Sequence, residues 1–131
     1  MTKEELQIGF GRLGGKTERN GVLLTIVKYS KEGREAVWKG VVTRGHHNNL
    51  HFPVDANCGC CAIWRTTKRK CKKGCPLNTY WLNCLKHHKW FSISNPYKQV
   101  VSGDRYLFDH GCNRIIAACN RWLKKHPKDS G

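Results

Sequence analysis

The sequence predicts an α+β fold in one small domain: an N-terminal β-hairpin or small sheet, a zinc-braced Cys/His-rich centre, and a C-terminal helix packed across them. Three observations carry that expectation. A β-branched apolar run occupies residues 22–27, eight cysteines sit mostly mid-chain, and apolar residues near the C-terminus recur at helical spacing. The length of 131 residues suits a single domain, 1–131. Its apolar share of 39% implies a modest core, so the cysteines are expected to help hold the fold.

Residues 1–45 form the hairpin region. Thr2 followed by Glu5 caps one short helical turn, which Gly9, Gly11, Gly14 and Gly15 are expected to end. Val22 to Tyr29 reads as a first strand, Lys31-Glu32-Gly33 as a turn, and Ala36 to Val42 as the returning strand. Residues 46–90 have poor periodicity, as expected where ligands organise a segment. Residues 91–126 begin with strand-like pieces at Trp90–Ile93 and Tyr97–Val101 and end in a helix capped by Asp109. Cys112, Ile115, Ile116, Cys119, Trp122 and Leu123 share one face of that helix. Lys124 and Lys125 suit its C-terminal dipole, and Pro127 stops it before a short tail, 127–131.

Charge is the strongest compositional signal. Twenty-four Lys and Arg oppose nine Asp and Glu, a net charge of +15. Self-repulsion of that size points to a polyanionic partner. The distribution is one-sided, because no acidic residue occurs between Ala56 and Gly103. Arg65, Lys68, Arg69, Lys70, Lys72, Lys73, Lys86 and Lys89 all fall in that span. Such cations neutralise phosphates and release counterions, which favours RNA or DNA. Trp64 and Trp81 among them suit stacking on unpaired bases, so RNA or single strands are favoured. Lys68-Arg69-Lys70 with Lys72-Lys73 also reads as a nuclear-import signal.

The cysteines run Cys58-Gly-Cys60-Cys61, then Cys71-x3-Cys75, then Cys84-x2-His87-His88. Zinc takes four thiolate or imidazole ligands, usually as close pairs from two segments. Cys71 with Cys75, and Cys84 with His87 or His88, make the leading site. Cys58 with Cys60 or Cys61 offers a second, completed by Cys112 or one of His46, His47 and His51. One or two structural zinc ions are therefore expected. Cys119 reads as core packing. Cys112 and Cys119 lie about 10 Å apart along a helix, too far to bridge each other.

Other readings carry less weight. Gly9–Gly14 matches G-x-G-x-x-G, and Gly14-Gly15-Lys16-Thr17 resembles the end of a phosphate loop. Neither has the strand-then-helix context such a loop needs, so both read as flexible turns, with Arg12 and Lys16 adding to the basic surface. His46, His47, His51 and Asp55 would suit a metal-dependent nuclease. Eight cysteines also fit a secreted, disulfide-stapled effector or toxin. The N-terminus lacks a signal-peptide stretch and no apolar run reaches the ~20 residues of a membrane span, so an intracellular protein, nuclear or cytoplasmic, without a membrane partner is expected.

Overall fold

A computed structural model describes residues 3–44, 58–64, 75–76 and 96–127. Among these residues every regular element is a helix and there is no strand. The expected α+β fold with its N-terminal hairpin is therefore corrected to a helical one. The helices among the described residues are, in order, α1 Lys3–Arg12, α2 Glu18–Lys28, α3 Lys31–Arg44, α4 Gly59–Trp64, α5 Pro96–Val100 and α6 Arg105–Lys125.

In α1 the glycines at 9 and 11 lie inside the helix rather than ending it, and Leu6 and Phe10, one turn apart, are its buried pair. The chain turns at Gly14 and Gly15, whose φ values of 98° and 133° favour glycine. Asn20 fastens this turn by donating its side-chain amide to Leu13 O at 3.1 Å and Gly15 O at 2.7 Å. Thr17 caps α2 by accepting from Asn20 N at 3.1 Å.

The expected first strand is α2. Asn20, Gly21, Val22, Leu24, Thr25 and Lys28 are all buried, because α2 lies between α1, α3, α4 and α6. A helix enclosed on several sides loses its polar stripe, and its apolar run then looks like a buried strand. Tyr29 and Ser30 alone connect it to α3, and the expected turn at Lys31-Glu32-Gly33 is the first turn of α3. Within α3, Val37 and Val41 are buried one helical turn apart, and Trp38 tilts against Phe108 of α6 at 5.0 Å between ring centroids.

Helix α4 crosses α2 where two glycines meet. A Cβ on Gly21 would stand 2.8 Å from Gly59 O, and one on Gly59 would strike Gly21 O. No side chain fits between these backbones. The expected strand at 97–101 is α5, with Pro96 at its first position, where a missing N–H costs nothing.

The C-terminal helix α6 starts earlier than expected. Asp104, not Asp109, is the cap, accepting from Leu107 N at 3.0 Å. The extra turn adds Phe108 to a face that also buries Cys112, Ile115, Cys119 and Trp122. Large apolar side chains fully withdrawn from water contribute roughly 1.5–3 kcal/mol each. The main core gathers side chains from α2, α3, α4, α5 and α6 around this face, together with Cys58 and Cys75.

Candidate functional site

Four buried thiols meet in that core. Cys60, one residue into α4, hydrogen-bonds through its thiol with Cys119 of α6 and with Cys75, and Cys58 lies beside it. Thr25 organises the approach from α2. Its hydroxyl donates to Gly21 O at 3.0 Å, accepts from Cys60 N at 2.9 Å, and lies 3.4 Å from Cys58 Sγ. The one hydroxyl proton is engaged by Gly21 O, so the Cys58 thiol is the donor in the last contact.

This environment keeps Cys60 protonated. The hydrogen bond with Cys119 raises its pKa most; the bond with Cys75 opposes this, while burial and the neighbouring Cys58 and Cys119 thiols add to the rise. Cys112 stands apart, two turns earlier on α6. Burial pushes its thiol up to about 12, with Arg34, Arg105 and Lys28 pulling down and Asp109 pushing up. Thiols held neutral in this way are inert packing groups unless a metal or an oxidant takes the proton's place.

The cluster mixes the two expected zinc sites. Cys75, expected with Cys71, Cys84 and His87, touches Cys60, expected in the other site. Cys112 is not among the thiols acting on Cys60, and Cys119, read as packing, is. Among the described residues no group of three or more His, Cys, Asp or Glu side chains is placed to hold a metal ion. Cys58, Cys60, Cys75, Cys112 and Cys119 are thiols rather than halves of disulfides.

Several expected site residues lie outside the described residues: Cys71, Cys84, His87, His88, His46, His47, His51, Asp55, Arg65, Lys68, Arg69, Lys70, Lys72, Lys73, Lys86, Lys89 and Trp81. For Cys61 the backbone, in α4, is described but not the side chain. Trp64 is only 3% exposed and packs edge-on against Trp122 at 5.8 Å, so it is a core ring and not a platform for bases. Nothing in its basic sequence neighbourhood signals that. Its spacing of four from Cys60 does.

Arg34 and Arg105 form ion pairs where α3 meets the start of α6. Arg105 pairs with Glu35 at 3.0 Å and with Asp109 at 3.1 Å, and Arg34 reaches Asp109 at 3.5 Å and Asn113 at 2.7 Å. The hydrogen bond from Arg105 holds the Glu35 carboxyl below its ordinary pKa. The Arg105 guanidinium also lies over Trp38 and Phe108, at 5.2 and 5.3 Å from their ring centres.

No family model, curated protein or solved structure compared with this chain matches it. Among the described residues no helix is long and apolar enough to cross a membrane.

Proposed function

We propose that this protein binds RNA or single-stranded DNA through its acid-free basic segment, with structural zinc fixing that segment to the helical body. The observation that carries the reading is how the segment is attached. Trp64 before it, Cys75 and Pro76 within it, and Pro96, Gln99 and Val100 after it are all buried. The cations Arg65, Lys68, Arg69, Lys70, Lys72 and Lys73 fall between the first two attachments, and Lys86 and Lys89 between the last two. A cationic chain pinned at intervals loses less conformational entropy when it meets a phosphate polymer than a loose one does.

The zinc half rests on the donor chemistry. Buried thiols are soft ligands suited to zinc, and Cys75 already contacts Cys60. The proposed set is Cys75 with Cys71, Cys84 and His87; bound there, zinc would cross-link two stretches of the basic segment. Because Cys71, Cys75 and Cys84 must lose protons to ligate, affinity for the ion would fall as pH falls.

Two measurements test the reading. Binding to a fluorescent oligouridylate should weaken steeply between low and physiological salt, and affinity that stays flat would overturn the nucleic-acid reading. Elemental analysis of the purified protein should find zinc, and Cys75→Ala should lower it. Protein free of zinc after purification without chelators would remove the brace and leave the charge argument alone.

A further inference from the structure

Cys60 and Cys119 belong to different helices and lie far apart in the sequence, yet their thiols are hydrogen-bonded to each other and both residues are 0% exposed. Burial alone does not produce such a contact. Cys112 is just as enclosed on the same helix, and the groups that act on its thiol are charged side chains rather than another sulfur.

A second contact fixes the register of the two helices. One turn after Cys60, Trp64 packs edge-on against Trp122, which stands one turn after Cys119. The sulfur pair and the ring pair follow in the same order, so α4 runs along α6 in the same direction. From the other side, Thr25 accepts from Cys60 N at 2.9 Å, and the bare crossing of Gly21 with Gly59 sets how deeply α4 sits. Helix α4 is thus held before, at and after Cys60. Cys75 also touches Cys60, but it lies outside the two helices that this register aligns.

We infer that Cys60 and Cys119 are a dithiol that closes to a disulfide when the chain meets a low-molecular-weight disulfide such as oxidised glutathione, clasping α4 to α6. One cysteine, as thiolate, attacks a sulfur of the small disulfide and expels the first glutathione thiolate. The other attacks the resulting mixed disulfide and expels the second. The pair gives up two electrons, and its two protons leave with two molecules of reduced glutathione. Because both thiols are enclosed, exchange passes through local opening of the six-residue α4. It is therefore slow in buffer and faster in mild urea. The bridge closes a loop over residues 60–119 that contains the whole run of cations from Arg65 to Lys89. The inference goes beyond the nucleic-acid reading and does not depend on it, and the proposed zinc set includes neither thiol.

The test equilibrates the full chain in mixtures of reduced and oxidised glutathione, alkylates the remaining thiols in acid-quenched samples, and maps tryptic peptides by mass spectrometry. Peptide 115–121, whose one cysteine is Cys119, should appear linked to peptide 45–65, and fragmentation should place the bond on Cys60. Cys119 that stays reduced or carries glutathione in the most oxidising mixture would overturn the inference, as would a bond from Cys119 to Cys58, Cys61 or Cys75. Cys112→Ser should leave the bridge in place, whereas Cys60→Ser should leave Cys119 unbridged; should Cys60→Ser fail to fold, the wild-type map still decides. A loop of this length should raise the thermal midpoint of the bridged chain by roughly 5–15 °C over the reduced one. An unchanged or lower midpoint would overturn the clasp.

Discussion

Thr25 shows how much one hydroxyl can organise. It serves the carbonyl of Gly21, the amide of Cys60 and the thiol of Cys58 while fully buried. Thr25→Val keeps the shape and removes these partners, so the Cys60 N–H loses its acceptor in a buried setting. We expect a loss of about 1–3 kcal/mol in urea unfolding. Thr25→Ser, which keeps the hydroxyl, should lose less, and equal losses would mean the methyl matters rather than the hydrogen bonds. Cys112 makes a different prediction. Its pKa of about 12 in the folded chain lies above the ordinary ~8.5 of the unfolded one. Below the lower value both states keep the proton and its contribution is intact. Above it only the unfolded chain ionises, so stability falls as pH rises toward about 12. Unfolding in urea from about pH 8 to about pH 11 should reveal a decline of a few kcal/mol that Cys112→Ala makes shallower, Cys60 supplying part of what remains. Identical slopes in the two proteins would contradict the burial argument.

At the scale of elements, close backbone approach outweighs helix propensity. Gly59→Ala would drive a methyl into Gly21 O, so α4 must move off α2, with a cost of about 1–3 kcal/mol expected by the overpacking rule. Gly11→Ala meets nothing within 4 Å and sits in exposed α1, so it should be neutral or stabilise by up to about 1 kcal/mol. Thermal unfolding of the two variants checks both signs; equal losses would place the crossing elsewhere. The sequence made some of this readable and hid the rest for physical reasons. Helix α6 was legible because one face carries Cys112, Ile115, Cys119 and Trp122 while the other meets water. Its start was missed because Phe108 continues that face one turn further, back to the cap at Asp104. Helix α2 looked like a strand because Asn20, Val22, Leu24, Thr25 and Lys28 are buried while Val27 on its exposed side is apolar, so no polar stripe marks a face. In α3, Val37 and Val41 do carry the four-residue spacing, but Trp38 and Val42 beside them blur it into an alternating run.

For the whole molecule, long-range geometry decides what the residues do together. Cys60, Cys75 and Cys119 come from segments far apart in the chain, and no local spacing reveals that they touch. Charge was legible as a total and as an acid-free span, but which charges meet depends on helices α2 and α3, whose residues read as strands, and on how they pack against α6. The salt and zinc measurements therefore belong to the intact chain. No fragment keeps the body intact, because Arg19 and His126 stand more than a hundred residues apart in sequence and 3.4 Å apart in space.

The meeting of Gly21 and Gly59 reaches beyond stability. A methyl at either position forces the same separation of α2 and α4, and a second methyl then enters room already opened. The two substitutions should thus cost less together than their separate costs add up to, yet neither can compensate for the other. For this fold the pair acts as a ratchet on sequence drift: descendants that keep the helices in touch must keep both positions bare.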